Sequence, residues 1–390
     1  MRLIYVSIIC LLVLPACVRR ETVNQNANTV NGVINEVAIE KIDPAKLRAA
    51  EIAASLDDRL LAAQVLISGI DGKRNLPAHI VTMLKEAPPG GIMLFRYNLD
   101  TDNDSIRSLL AQTASLVKGE SGIPPFIAVD HEGGGVNRFT PGTADLDAAS
   151  SYWKITLAEG RQAALAKIES DSLKAGRVLK DLGVNLNFAP VVEYLNDSNR
   201  VFLSKRSYGP DPLFTADAAE AFIRGMEQAG ILCVIKHFPG SAGTDPHFSA
   251  SVIGGDRAAL DEMVFPFTAL VEKGRARAVM AAHSAVPALD GKISSLSQVV
   301  MKNWLRDDIG FTGILIADDF SMAAAGGQRP EEAAVLSIAA GADMVLVWQK
   351  DLTRTHGAVF SAIRDGRLSR ERMCEAAGRI IYEKILLGLM

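Results

Sequence analysis

Ionisable side chains follow most of the short apolar runs of this sequence, at the point where each run ends. They are Arg96, Asp130 with Glu132, Glu193, Lys236 with His237, His283, and Asp318 with Asp319. Each alone has an ordinary explanation, because an aspartate can cap the helix that follows it and a single histidine after an apolar run is usually a core residue. Their recurrence instead indicates one polar site that carries both signs of charge.

A further pair of reactive side chains lies in one loop. Asp245 and His247 are two residues apart, after a stretch of small residues at 240–244. Imidazole titrates near neutral pH, and a neighbouring carboxylate fixes its tautomer and stabilises the imidazolium. The pair is therefore a candidate general acid/base, and the small residues before it predict a loop that can move.

The apolar runs predict the strands that would position these groups. They are rich in Val, Ile, Leu and Ala without polar alternation, which is typical of parallel strands covered on both faces. Eight strands are predicted, at 65–68, 91–95, 126–129, 185–190, 233–236, 278–282, 313–317 and 344–348.

Amphipathic stretches at 157–182, 216–230, 258–273, 331–340 and 370–387 are predicted as helices, four of which end at a glycine. The alternation predicts an α/β fold, a (β/α)8 TIM barrel in a single catalytic domain over 43–390. A doubly wound open sheet is the alternative, but it would show fewer strands. Residues 132–135 lack the third glycine of a dinucleotide fingerprint. Barrels place their active sites at the C-terminal ends of the strands, where the polar groups would meet.

The first 42 residues differ from the rest. Arg2 precedes an apolar run at 3–14, too short to span a bilayer but typical of an export signal. The run ends in Leu14-Pro15-Ala16-Cys17, which resembles a lipobox. We expect a signal peptide at 1–16, a lipid anchor on Cys17 and a flexible Asn-rich tether at 17–42. Cleavage after Ala16 without lipid, or a buried apolar strand, are the alternatives. An exported, membrane-anchored lipoprotein on the periplasmic side or the cell surface is predicted.

The composition is that of an ordinary globular protein, with 48% hydrophobic and 22% charged residues. A net charge of −4 without blocks of like charge argues against nucleic acid as a partner. Cys233 and Cys374 fall in apolar strand and helix patterns, so we expect small buried hydrophobes. The cysteine and histidine spacings do not indicate a zinc site.

Three segments resemble those of glycoside hydrolase family three. Residues 128–138 (AVDHEGGGVNR) resemble its substrate-binding segment, and 316–322 (IADDFSM) resemble its nucleophile segment. Residues 236–240 (KHFPG), followed by Asp245-Pro246-His247, resemble its lysine–histidine loop and Asp-X-His dyad. The dyad is similar to that of the β-N-acetylhexosaminidase branch, and the matches keep the family order over roughly residues 50–388.

The resemblance implies a role for each matching residue. Asp318 would be the nucleophile, His247 the general acid/base and Asp245 its orienting partner. Five further residues are implied to bind the terminal sugar: Asp130, Arg138, Arg206, Lys236 and His237. No metal and no organic cofactor is implied. The chain departs from the family pattern at Gly135, Ser241, Pro246 and Glu193, where the family usually has Arg, His, Ser and Asp.

The resemblance implies a retaining exo-β-N-acetylglucosaminidase that acts on cell-wall muropeptides or related glycans. Such a reaction needs a carboxylate on one side of the sugar ring and a proton donor at the leaving oxygen, which Asp318 and His247 could supply. Another family activity, β-glucosidase or glycoside phosphorylase, stays open. So does a sugar-binding lipoprotein without turnover, although binding alone would not require Asp318, Asp245 and His247.

Overall fold

The computed structural model describes residues 43–390, except 100, 244, 246–247, 250 and 323–326. Its strands are β1 Leu66–Gly69, β2 Gly91–Leu94, β3 Phe126–Val129, β4 Leu186–Asn187, β5 Leu232–Cys233, β6 Ile235–Phe238, β7 Ser251–Val252, β8 Ala278–Ala281, β9 Ser284–Ala285, β10 Ile314–Ala317 and β11 Met344–Val347.

The helices in the described residues are α1 Pro44–Ser55, α2 Asp58–Gln64, α3 Ala78–Glu86, α4 Arg96–Leu99, α5 Asn103–Ser121, α6 Ala149–Glu159, α7 Arg161–Leu182, α8 Arg200–Leu203, α9 Pro212–Gln228, α10 Arg257–Met263, α11 Phe265–Glu272, α12 Pro330–Ala340, α13 Leu352–Arg364 and α14 Arg370–Leu386. Short 3₁₀ turns cover Ser204–Arg206, Ser294–Leu296 and Gln349–Asp351, and Val299–Asp308 form a π-helix.

Nine strands form one parallel sheet, in the order β5-β4-β3-β2-β1-β11-β10-β8-β6. The strands at the two ends of this order, β5 and β6, belong to one apolar run and are separated by Val234 alone. β5 pairs with β4, whereas β6 pairs with β8, so the sheet closes on itself through this divided strand. All eight predicted strand positions are present, and the (β/α)8 barrel is confirmed. β7 and β9, which the sequence did not predict, form a separate two-stranded sheet.

Burial explains why these runs form strands. Every residue of β1, β2, β3, β8, β10 and β11 is buried, as expected for strands packed on both faces. Burying one Val, Leu or Ile side chain contributes about 1.5–3 kcal/mol relative to leaving it exposed. The same burial accounts for Cys233, which lies in β5. Cys374 is half-buried in α14, and both thiols are free.

Two predicted helices are each divided. The stretch at 157–182 breaks at Gly160, whose φ of 94° is accessible to glycine, so α6 and α7 are separate helices. The stretch at 258–273 divides at Val264, and α11 carries Pro266 in its first turn, where a missing N–H does no harm. Several helices begin at an aspartate whose carboxylate accepts a backbone N–H of the first turn: Asp43, Asp57, Asp102, Asp211 and Asp256.

A fully buried aspartate fastens the N-terminal end of the barrel. Asp343 precedes β11 and contacts Arg306 Nη2 at 2.6 Å, Arg372 Nη2 at 3.0 Å and Arg379 Nη1 at 3.0 Å. It also accepts the N–H of Leu315 at 3.0 Å. Burial alone would raise the pKa of Asp343, but the three guanidinium groups outweigh it and lower that pKa. This ion cluster joins the π-helix and α14 to the start of the sheet.

A fully buried lysine lies at the same end. The Lys384 ammonium is 3.0 Å from Gln64 Oε1 and 5.1 Å from the centroid of the Phe126 ring. Burial lowers the pKa of Lys384 to about 7. Below that pH the side chain is charged in both the folded and the unfolded chain, so the cost of burying the charge is fully present.

The first prediction concerns this lysine. Between about pH 7 and its ordinary value of 10.5, Lys384 is neutral when folded and charged when unfolded, so stability increases with pH there. Relative to Lys384→Met, we expect the free energy of unfolding of the unmodified chain to rise by about 2 kcal/mol from pH 7 to pH 9. Urea unfolding at both pH values measures this. Exposed Lys85→Met is the control, and an equal difference at both pH values would contradict the prediction.

The N-terminal predictions lie outside the described residues. The predicted signal peptide, the Cys17 anchor and the whole tether fall within residues 1–42, of which the structure describes none. Among residues 43–390 that are described, the helices are all too short or too polar to cross a bilayer.

Candidate active site

The C-terminal ends of the barrel strands surround a cavity of about 200 Å³. Its floor is apolar and includes Met93, Phe188, Met280 and Leu346. They lie on every second strand of the barrel: Met93 in β2, Phe188 directly after β4, Met280 in β8 and Leu346 in β11. This arrangement is expected for one layer of a filled barrel interior. Its walls carry the charged groups: Asp130, Glu132, Arg138, Arg206, Lys236, His237 and Asp318. The structure therefore brings the predicted nucleophile and all five predicted sugar-binding residues together.

A charged network forms one side of the cavity. Lys236 Nζ lies 2.7 Å from Asp130 Oδ1 and 2.7 Å from Glu132 Oε1. Arg206 binds Glu132 through two parallel contacts of 2.8 Å, from Nε to Oε2 and from Nη2 to Oε1. Arg138 Nη2 lies 3.4 Å from Asp130 Oδ2. We call these five side chains the charged clamp; with three cations and two carboxylates it has a net charge of +1.

Burial and charge act in opposite directions in the clamp, and charge prevails. Burial would raise the pKa of Asp130, but Lys236 and Arg138 hold that pKa below its ordinary value. Burial would likewise raise the pKa of Glu132, yet Lys236 and Arg206 lower it. The pKa of Lys236 is raised by its two carboxylates despite burial. All three are ionised at neutral pH, and charge-assisted hydrogen bonds from such groups suit sugar hydroxyls.

Glu132 is the clamp residue missing from the predicted sugar-binding set. Its side chain is 4% exposed and contacts both Lys236 and Arg206. The available signal was its place just after β3, two residues beyond Asp130. Two glycines then turn the chain: a Cβ at Gly133 would lie 2.1 Å from Asp147 O, and one at Gly134 would lie 2.6 Å from the Ala148 Cβ. The close approach of this turn to residues 147–148 therefore explains the glycines, without a bound nucleotide.

His237 is oriented by Glu193. Its Nδ1 lies 2.7 Å from Glu193 Oε1, and the same oxygen accepts the His237 backbone N–H at 3.2 Å. An Nδ1–H that donates to the carboxylate leaves Nε2 as the free nitrogen of the ring, and His237 lines the cavity. Glu193, which stands where the family usually has aspartate, therefore positions His237.

The two neighbouring aspartates after β10 have different surroundings. Asp318 lines the cavity, and its Oδ1 accepts the backbone N–H of Asp319 at 2.9 Å. The Asp319 carboxylate instead accepts the N–H of Ser321 at 2.9 Å and its hydroxyl at 2.7 Å. Burial raises the pKa of Asp319. Of the two, Asp318 is the carboxylate that lines the cavity.

His283, another strand-end residue, fixes this segment from below. Its Nδ1 lies 2.7 Å from Ser295 Oγ and its Nε2 lies 2.9 Å from the carbonyl oxygen of Asp319. Burial lowers the pKa of His283, although Asp318 acts in the opposite direction. A neutral imidazole held at both nitrogens positions the segment that carries Asp318 and Asp319. The remaining strand-end residue, Arg96, is exposed and begins α4.

The predicted acid/base dyad is described only in part. Asp245 is half-buried, and its carbonyl oxygen accepts the N–H groups of Phe248 at 3.0 Å and Ser249 at 3.2 Å. His247 lies outside the described residues. The contact between the two therefore stays a prediction. Within the described part of the chain, His, Cys, Asp and Glu side chains do not converge in groups that could hold a metal ion.

Comparison with known proteins identifies the family of the chain. Residues 56–382 match the family model described as the glycosyl hydrolase family 3 N-terminal domain. The chain is 34% identical over 304 residues to a β-hexosaminidase of Neisseria gonorrhoeae, covering 77% of this chain and 80% of that protein.

Solved structures agree. A family 3 β-N-acetylglucosaminidase from a Paenibacillus species superposes with a TM-score of 0.79 at 27% identity, covering 86% of this chain and 63% of that one. The chain thus spans slightly less than two thirds of that protein. NagZ from Neisseria gonorrhoeae, solved with N-trifluoroacetyl-D-glucosamine, gives 0.69 at 29% identity, covering 82% and 89%. The resemblance is confirmed: the chain belongs to glycosyl hydrolase family 3, in its β-hexosaminidase branch, and is a glycoside hydrolase.

Proposed function

We propose that this glycoside hydrolase is a retaining exo-β-N-acetylglucosaminidase that removes a terminal β-linked N-acetylglucosamine. The observation that carries the proposal is one cavity of about 200 Å³, lined by Asp318 and the charged clamp and closed below by apolar side chains. A pocket of this size with an apolar floor suits one terminal sugar, because an internal unit of a polymer would need a groove open at both ends. The preference for N-acetylglucosamine is drawn from the name of the Paenibacillus relative and from the N-trifluoroacetyl-D-glucosamine in complex with NagZ of Neisseria gonorrhoeae.

In the first step, the Asp318 carboxylate attacks the anomeric carbon and the glycosidic bond breaks. The electron pair of that bond stays on the leaving oxygen, which takes a proton from the imidazolium of His247. The product is a covalent glycosyl ester on Asp318. The charge of Asp318 also stabilises the positive charge that develops on the sugar ring in the transition state.

In the second step, neutral His247 removes a proton from water, whose oxygen attacks the anomeric carbon and releases Asp318. Two inversions give net retention of the β configuration. Asp245 is proposed to hold the imidazole in the tautomer and orientation that both steps need. The charged clamp takes no part in bond breaking; it fixes the ring so that the anomeric carbon lies at Asp318.

Purified protein tested on aryl β-glycosides that differ only in the sugar checks this proposal. We expect the N-acetylglucosaminide to be hydrolysed with kcat/KM well above that of the glucoside and xyloside, and with a β product in the first turnovers. Faster hydrolysis of the glucoside would assign a different family activity. Rates that require added phosphate would assign phosphorolysis.

The second prediction concerns His247. On a dinitrophenyl N-acetyl-β-glucosaminide, whose leaving group needs little protonation, His247→Ala should lose about 10²-fold in kcat, because only hydrolysis of the intermediate still needs the base. Added azide attacks without a base, so it should restore turnover and yield a β-glycosyl azide. Asp318→Ala is the matched control, in which added azide should not restore the formation of a β product. Failure of azide to accelerate His247→Ala would remove His247 from the acid/base role.

We also propose that the protein is exported and anchored through lipidated Cys17, which would place it beside cell-wall muropeptides as substrates. The support is sequence alone: the apolar run, the lipobox-like end and the polar tether.

In the third prediction, the unmodified chain partitions into the detergent phase of a membrane extract. Cys17→Ser should move most of the protein to the aqueous phase or leave the signal uncleaved. Recovery of the unmodified chain wholly in the aqueous phase would exclude the anchor but not the enzyme activity.

A further inference from the structure

Three aromatic rings lie in a continuous stack just beyond the C-terminal ends of β2 and β11. Phe95 follows β2 and Trp348 follows β11, and their ring centroids are 4.7 Å apart with planes 7° from parallel. Tyr97 stacks on the Phe95 ring, with centroids 5.7 Å apart and planes 14° from parallel. We call these rings the aromatic stack. Phe95 and Trp348 are half-buried, whereas Tyr97 is 37% exposed, so the stack extends from the barrel toward solvent.

The strand periodicity places the stack just above the cavity floor. Met93 and Leu346 belong to that floor, and Phe95 and Trp348 stand two residues further along the same chain segments. Because side chains two apart along an extended chain lie on the same side, both rings are directed to the inside of the barrel, one layer higher. At Gly69 a Cβ would lie 3.0 Å from Phe95 Cε2, so the missing side chain gives the ring its space.

Asp319 connects the stack to the proposed nucleophile. The Trp348 indole lowers the pKa of the Asp319 carboxyl, against the effect of burial, so the two side chains are neighbours. The backbone N–H of Asp319 donates to Asp318 Oδ1 at 2.9 Å. Phe95 covers the face of Trp348 that is turned toward β2. In the sheet order, β10, the strand that ends at Asp318, is the neighbour of β11 on the side away from β2.

The barrel order decides which part of a substrate would meet Trp348. The charged clamp is centred on β3 to β6, and Trp348 follows β11, on the opposite side of the closed sheet. A sugar whose hydroxyls contact the clamp and whose anomeric carbon lies at Asp318 directs its leaving group away from the clamp. That direction leads toward the end of β11 and the solvent.

Resting on the proposed function, we propose that Trp348 forms a subsite for the leaving group and binds the apolar face of its pyranose ring. A pyranose carries C–H groups on its faces, and an aromatic ring buries such a surface without demanding a particular hydroxyl pattern. Phe95 and Tyr97 are positioning residues, which hold the Trp348 ring in place by stacking. The preferred substrate class is thus a glycan in which N-acetylglucosamine is joined to another sugar.

Two substrates with similar leaving oxygens test this subsite. The leaving group of N,N′-diacetylchitobiose is a sugar. The leaving group of methyl N-acetyl-β-D-glucosaminide is methanol, which has no ring that could contact Trp348. For Trp348→Ala we expect kcat/KM to fall about 10-fold or more on the disaccharide and less than about 3-fold on the methyl glycoside. Trp348→Phe keeps a ring and should retain most of the preference. Trp348→Leu keeps apolar bulk without a ring and serves if the alanine variant is poorly folded.

Tyr382→Ala is the matched control, because it removes a half-buried ring at the opposite end of the barrel. It should leave the ratio of the two kcat/KM values unchanged. Equal losses on both substrates in Trp348→Ala and Trp348→Leu would give the ring a structural role only and overturn the subsite. If the unmodified protein hydrolyses neither substrate, the proposed function fails first, a result distinct from an unchanged ratio in an active enzyme.

Discussion

Asp318→Ala is expected to lose at least about 10⁴-fold in kcat on every β-N-acetylglucosaminide, because both chemical steps pass through this carboxylate. Unlike the loss in His247→Ala, this one should not depend on the leaving group, since alanine can neither form the glycosyl ester nor stabilise the developing charge. Asp318 lines the cavity opposite the charged clamp. Single-turnover assays with dinitrophenyl and methyl glycosides measure the dependence.

The neighbouring aspartate supplies the control for this experiment. Asp319→Asn keeps the shape of a side chain whose oxygens bond Ser321, so it should lose far less than Asp318→Ala. A slow fluorosugar substrate should label the peptide that carries Asp318 and shift its mass by one sugar. Label on Asp319 or Glu193 in its place, or an inverted first product, would contradict the assignment of Asp318 as the nucleophile.

The strands could be predicted because a strand that is buried on both faces appears in the sequence as a short run of consecutive apolar residues. All eight predicted runs coincide with barrel strands, with ends that differ by a few residues. The division of the fifth strand at Val234 could not be predicted, because it reflects the change of hydrogen-bonding neighbour from β4 to β8. That change is a property of the closed sheet and not of local residue preference.

Helices were harder to predict where the apolar stripe is short or interrupted. Helices α1, α2, α3, α5 and α13 were missed. α1 and α3 carry only two buried positions each, α2 is only seven residues long, and two of the six buried positions in each of α5 and α13 are polar. The break at Gly160 was missed because the residues on both sides keep a helical period. One glycine in a helical pattern is weak evidence for a break, since helices tolerate it at about 1 kcal/mol.

The site was predicted from two independent kinds of signal. Strand-end position and family resemblance both selected Asp130, Lys236 and His237, and the structure brings them into one cavity. Arg138 and Arg206 came from the resemblance alone, since Arg138 lies in a loop and Arg206 in a short 3₁₀ turn, where periodicity carries no information. Glu132 stood at a strand end but was given no role, because its pairing with Arg206 joins residues 74 apart in the chain. The dyad at Asp245 and His247 still rests on sequence.

Glu132→Ala is expected to cause the second-largest loss of activity, on the order of 10³-fold in kcat/KM. Lys236 is 3% exposed and Arg206 is 24% exposed, and both contact this carboxylate. Removing one partner of a buried ion pair costs about 3–5 kcal/mol, because the remaining charges are left without compensation. In this cavity Lys236 would turn further toward Asp130, the other carboxylate within 2.7 Å. Asp130 would then no longer be available to a sugar hydroxyl.

Glu132→Ala should weaken binding of the transition state. We therefore expect kcat/KM to fall by more than any loss of folded protein, measured by thermal unfolding, can explain. Glu132→Gln keeps the shape and one acceptor oxygen and should lose less than the alanine variant. The matched control is Glu375→Ala, which also removes a carboxylate shared by two arginines, but one that is 51% exposed at the other end of the barrel. Exposed pairs contribute about 0–1 kcal/mol, so that variant should keep near-normal kcat/KM. Normal kcat/KM in a folded Glu132→Ala protein would mean that Asp130, Arg138 and Lys236 bind the sugar without needing Glu132 to compensate their charge.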